Sequence, residues 1–243
     1  MTALWIHEVA ERFWDDSGEP PRRFPRDLRE AATWALAIGL ETLPELSITA
    51  VDAWLAQRDS QLRLRIPDRP LRACMVVHEG NGILFVDAAD PEDEQRFSLA
   101  HEIAHYLVEY ALPRDRARRR LGEGILPVLH GRRAASPEER IGAVLGGVSL
   151  GICWHLMERT PDGHRPGQDV SEAERRADEL AFELLAPFEA VRACLPAGAD
   201  LAAVERALHT TFGLPSAPAR EYALRLTPEP PAGSLFRALF STS

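Results

Sequence analysis

Over the first 60 residues the apolar positions recur at helical spacing. Residues 2–14, 25–40 and 47–58 are therefore predicted as helices, the second after a proline-rich break at 20–25 and the third opened by Ser47. From 62 to 88 the period becomes extended. The runs LRLRI (62–66), RACMVVH (72–78) and GILFVDA (82–88) predict a small sheet, with Glu79-Gly80-Asn81-Gly82 as the turn between the last two.

A long helix follows, with Asp90 as N-cap, Pro91 at its first position and Glu92, Asp93 and Glu94 against the positive end of its dipole; it is predicted to end near Leu112-Pro113. Residues 113–170 are the hardest stretch to read. They contain a window free of Asp, Glu, Lys and Arg at 142–157, too short and glycine-rich for a membrane span and read as a buried element. A helix over 171–187 comes next, then two amphipathic helices at 200–212 and 216–226 and a loose tail at 227–243. The pattern predicts an α+β chain: a helical segment at 1–60, a central unit of sheet and helices at 61–190 and a helical, helix-turn-helix-like segment at 191–243.

Composition narrows the picture. With 243 residues, 45% of them hydrophobic, the chain has material for one sizeable core. A net charge of -9 argues against a general nucleic-acid binder, although residues 113–133 hold seven arginines against Asp115 and Glu123. That patch reads first as a solvated face, and otherwise as a dock for an acidic partner or for the DNA to which a bound regulator is attached. The N-terminus carries no secretory signal pattern, so a cytoplasmic location is expected. Cys74, Cys153 and Cys194 fit neither a disulfide framework nor a CxxC metal pattern and read as buried free thiols.

The chemistry concentrates in RFSLAHEIAHYLVEY, residues 96–110. On a helix His101 and His105 share a face one turn apart, placed to converge on one metal ion, while Glu102 points about 100° around the axis. That is the HExxH arrangement: the metal lowers the pKa of a water toward ~7 and polarises a carbonyl, and the glutamate carries the proton to the leaving amine. Two histidines and a glutamate buried amid Phe97, Leu99, Ile103 and Leu107 would be costly without such a partner.

A third protein ligand is needed. The metzincin extension would require Gly at 108 and His at 111, where this chain has Val108 and Ala111. The helix at 171–187 offers Glu174 as ligand, with Asp178 one turn later to accept the free ring N–H of a ligand histidine. Glu174 also fits N3 of a capping box opened by Ser171, in which case Glu172 or Glu179 is the fallback ligand. An oxyanion donor would come from Tyr222, His209, His155 or His164, among which the sequence does not choose.

RFSLAHEIAHYLVE followed by ERRADELAFELLAP resembles the ImmA/IrrE family of intracellular metallopeptidases, whose pattern is a phenylalanine-led AHExxH helix and a later ExxAN or ExxAD helix ending in LLxP. The resemblance implies a mostly helical, zincin-like (gluzincin-like) domain with a small mixed sheet and a helical C-terminal extension. It implies His101, His105 and Glu174 as zinc ligands, Glu102 as general base and Asp178 behind a histidine. The implied substrate is a helix-turn-helix repressor of the XRE type, cut to relieve repression in stress, DNA-damage or mobile-element responses. Manganese or iron would suit the same ligands, and zinc is the default. Residues 113–170 exceed what the pattern needs and read as an insertion beside the cleft. Two other readings stand beside this one: a non-enzymatic, metal-containing partner-binding protein, and a toxin-like protease of broader specificity. Neither a membrane nor direct DNA binding is expected.

Overall fold

The computed structural model describes residues 4–18, 23–58, 62–141, 147–159 and 168–227. Helix α1 (Leu4–Asp16) and helix α2 (Leu28–Ala35) precede strand β1 (Ile38–Leu43) and helix α3 (Ile48–Ala56). Strands β2 (Leu71–His78) and β3 (Asn81–Asp87) form a hairpin, followed by α4 (Glu92–His105), a π-helical turn (Tyr106–Ala111) and α5 (Leu112–Leu121). Short helices α6 (Leu126–Leu129) and α7 (Pro137–Ile141) lead to strand β4 (Cys153–Glu158). Helices α8 (Gln168–Leu185), α9 (Phe188–Cys194), α10 (Leu201–Thr210) and α11 (Ser216–Leu226) complete the described chain. The fold is a mostly helical α+β domain with a small mixed sheet, as the pattern of elements predicts.

The sheet order is β1-β3-β2-β4, with β1 parallel to β3 and the other two pairs antiparallel. The β2–β3 turn places Glu79 at φ 52° and Gly80 at φ 91°, the double positive φ of a type I′ hairpin. Because strand side chains alternate, Ala73, Met75 and Val77 of β2 join the main core under α4 and α8, while Cys74 and Val76 face a second cluster with Val51 and Leu55 of α3. Helix α4 is therefore enclosed between sheet and α8, and every residue from Phe97 to His105 is buried.

Several expectations are corrected. The helix expected over 25–40 stops at Ala35, and Ile38–Leu43 becomes a strand because β3 offers it a parallel edge. Residues 62–66 form no strand; Leu62, Leu64 and Ile66 pack on the sheet face instead. Asp90 is not the N-cap of α4, a position Pro91 occupies; its carboxylate receives Arg159 at 2.5 Å. The helix does not end at Pro113 but runs on to Leu121. The π turn, in which Leu112 N–H bonds Leu107 O five residues back, offsets the hydrogen-bond ladder just before the proline, whose missing N–H and bulky ring the i−4 pattern would not tolerate.

The window at 142–157 is not one buried element. Residues 142–146 fall outside the described set, Leu150, Ile152 and Trp154 are exposed, and 153–158 form the edge strand β4. Cys74 is buried, Cys153 half-buried and Cys194 exposed, so burial of all three thiols does not hold. The tail at 228–243 and His164 also fall outside the described residues.

Candidate metal centre

Helices α4 and α8 pack side by side, and the site lies between them at the edge of the sheet. His101 Nε2 and His105 Nε2 are 3.1 Å apart. Glu174 Oε2 lies 3.2 Å from the first and 3.6 Å from the second. Three ligand atoms on a tetrahedral zinc at 2.0–2.1 Å would be separated by about 3.3 Å, so this triangle already has the dimensions of one face of a tetrahedral coordination shell. The helix α8 begins at Gln168, three residues before Ser171, which removes the capping-box alternative for Glu174. Glu172 and Glu179 engage Arg175, and Glu172 also engages Arg176, so neither fallback ligand enters the site.

The orienting groups are in place. His101 Nδ1 lies 3.0 Å from Asp178 Oδ1, which directs Nε2 at the triangle's centre. His105 Nδ1 lies 3.3 Å from Glu109 Oε2, an ion-pair contact without hydrogen-bond geometry that sequence reasoning passed over, although its i+4 offset from His105 was visible. Burial opposes a charged His101, yet Asp178 and then Glu174 lift its pKa to about 9. Glu174, half-buried, would be pushed up by desolvation but is held far below the ordinary carboxylate range by three facing imidazoles. A cluster with this much competing proton and carboxylate charge at one point suits a cation there.

Glu102 is fully buried. Its Oε1 lies 2.9 Å from His155 Nδ1, and its Oε2 has no hydrogen-bond partner among the described residues. Desolvation works to raise its pKa, but the charge and hydrogen bond of His155, with His101 and His105 nearby, lower it, so it stays a carboxylate ready to accept a proton. His155 reaches the site from β4: it pairs in register with Met75, whose side chain belongs to the α4 face of the sheet. Its Nε2 lies 3.2 Å from Glu174 Oε1, and its ring stacks on His105 with centroids 3.6 Å apart. Burial disfavours its charged form, but Glu102 and then Glu174 raise its pKa to about 10. His101, His105, His155 and Glu174 thus form one cluster able to hold a metal ion.

The remaining oxyanion candidates stand elsewhere. Tyr222 is buried on α11, stacked on Phe182 at 4.6 Å, with its hydroxyl donating to Ala186 O at 3.3 Å. His209 bonds Leu214 O at 2.7 Å from the end of α10. Both lock the C-terminal helices to each other or to α8. The arginine patch is also largely consumed by structure. Arg114 is buried over Tyr110 and donates to Leu129 O and Ser149 O, while Arg118 and Arg119 pair with Asp115, Arg132 with Glu79 and Arg133 with Glu139. In the C-terminal pair Arg220 meets Glu205 and Arg225 meets Glu221.

Residues 61–123 match the family model of Peptidase_M78, the IrrE N-terminal-like domain. The ImmA/IrrE resemblance is supported. The matched segment spans the β2–β3 hairpin, the HExxH helix and the π turn, and it ends before Glu174, so the α8 half of the site rests on geometry. A Peptidase_M78 match points to a metallopeptidase. No curated protein matches the chain. No helix among the described residues is long and apolar enough to cross a membrane.

Proposed function

We propose that the protein is a zinc-dependent endopeptidase of the cytoplasm that cuts a helix-turn-helix repressor of the XRE type, relieving repression in a stress, DNA-damage or mobile-element response. The observation that carries the catalytic half is the triangle of His101 Nε2, His105 Nε2 and Glu174 Oε2, with the unpartnered Oε2 of the buried Glu102 beside it. The substrate class follows from the ImmA/IrrE resemblance. Two imidazoles and one carboxylate suit zinc better than manganese, which favours oxygen-rich sites.

When bound, zinc supplies Lewis acidity, lowering the pKa of the attacking water and polarising the scissile carbonyl. His101, His105 and Glu174 would hold it, Asp178 fixes the orientation of the His101 ring, and Glu109 stands beside Nδ1 of His105. Glu102 Oε2 takes the proton from the water and hands it to the leaving amine, a transfer its carboxylate form permits. The substrate approaches along β4, the edge strand that carries His155. Its outer edge is unpaired among the described residues, and an extended peptide can add to it through main-chain hydrogen bonds, with exposed Trp154 alongside.

The test joins metal content to cleavage. Elemental mass spectrometry on the purified chain is expected to find about one zinc per chain, lost in Glu174→Ala. Wild type is expected to cut a folded XRE-type repressor encoded nearby, and Glu102→Gln to bind metal without cutting. Cleavage of casein but not of the repressor would favour the toxin-like reading. A chain that takes no metal even after reloading would overturn the enzyme.

A further inference from the structure

Four side chains converge on the centre, and a metal could in principle take all four. Two imidazoles bound through Nε2 to one tetrahedral zinc radiate apart, with ring centroids about 5 Å from each other. His101 and His105, at 4.7 Å and 64°, meet that condition. His105 and His155 do not, because they lie nearly flat on each other at 3.6 Å and 20°. A ring stacked on a ligand histidine covers it and cannot share its metal. Both nitrogens of His155 are also already engaged by carboxylates, Nδ1 by Glu102 Oε1 at 2.9 Å and Nε2 by Glu174 Oε1 at 3.2 Å.

We infer that His155 is a positioning residue that ties the general base to the ligand carboxylate, and that it is not a fourth metal ligand. The inference rests on the metallopeptidase reading and deepens it. By holding Oε1 of each carboxylate, His155 leaves Glu174 Oε2 for the metal and Glu102 Oε2 for the water's proton, so each glutamate presents one defined oxygen. The fourth coordination position stays open for water and substrate. This also gives the long segment between the two metal helices a task. It delivers β4, and the antiparallel register of His155 with Met75 sets the ring over the site. Arg159, four residues further on, fastens the strand's end by bridging Asp87 and Asp90 at 2.6 and 2.5 Å, just ahead of α4.

Cadmium-113 substitution of the full chain, with histidine ring protons correlated to the metal by NMR, tests this without a substrate. The expected spectrum couples cadmium to two histidines, assigned to His101 and His105, and not to His155. In Glu102→Gln the His155 Nδ1–H signal, held downfield by the carboxylate, moves upfield while both couplings persist, and a signal unmoved by that change would overturn the tie to the general base. His155→Ala keeps the two couplings and weakens cadmium binding by no more than about 10- to 100-fold, the usual range for outer partners of ligands. Coupling from cadmium to His155 would overturn the inference and leave the metal site standing. Failure to bind cadmium at all would remove both.

Discussion

Asp178 lies one helical turn beyond Glu174, and its Oδ1 sits 3.0 Å from His101 Nδ1 while Glu174 Oε2 faces Nε2 of the same ring at 3.2 Å. One helix thus grips both ends of one imidazole. The ring's direction is fixed before any metal arrives, which reduces the ordering cost of binding. Asp178→Ala is expected to weaken zinc binding by about 10- to 100-fold. Asp178→Asn, whose amide oxygen still accepts, should lose much less. Competition against a chromophoric chelator measures both, and equal affinities for wild type and Asp178→Ala would show that the contact does not orient the ligand.

The Arg159 bridge gives a stability prediction. Asp87 is buried and also accepts from the N–H groups of Leu46 and Ala89, so removing the guanidinium leaves a buried carboxylate with part of its partners. Arg159→Ala should cost about 1–3 kcal/mol. The shift would appear in the urea midpoint with an unchanged slope. A change under about 0.5 kcal/mol would put the bridge in the class of exposed pairs that contribute little.

The elements that could be read from the sequence are those whose chemistry and period agree. In α4 and α8 a helical period coincides with residues that make sense only on one face, so His101, His105, Glu174 and Asp178 were readable together. Strand β1 was not, because IGLETL follows a helix without a turn signal and becomes a strand only through parallel pairing with residues some 44 positions later, Ile38 with Gly82. LRLRI has strand character, but both edges of β2 are taken by β3 and β4, so its leucines cover the sheet instead. His155 was one candidate among four. Which of them enters the site depends on the β2–β4 register, a long-range fact that spacing does not encode.

His7 of α1 sits 2.9 Å from buried Glu183 of α8, and the side-chain hydrogen bond to Glu183, with Glu11 nearby, raises its pKa above the usual value. A raised folded-state pKa means that the folded chain binds the proton more tightly than the unfolded one. The contribution is therefore full below about pH 6.5 and fades as pH rises through the folded value. His7→Gln should destabilise the protein more at about pH 6 than at about pH 8.5. Because His7 is 43% exposed, the difference should be small, and urea unfolding of both proteins at the two pH values measures it. A larger penalty at the higher pH would reverse the assigned sign.

Metal removal should be readable as stability. A ligand that binds only the folded state stabilises it by RT ln(1 + [L]/Kd), about 2.7 kcal/mol at a hundredfold excess over Kd. The three metal-facing atoms come from two helices, so zinc would tie α4 to α8 across the main core. Chelation should lower the midpoint of thermal unfolding and zinc restore it, with the restored increment growing with free zinc. Glu102→Gln should keep the full increment, since its side chain is not a ligand, and Glu174→Ala should lose nearly all of it. Apo Glu174→Ala should be less stable than apo wild type, because three facing imidazoles lose the carboxylate they share, so the zinc increment is read for each protein against its own apo form. An increment that survives in Glu174→Ala would place the stabilising ion elsewhere in the protein.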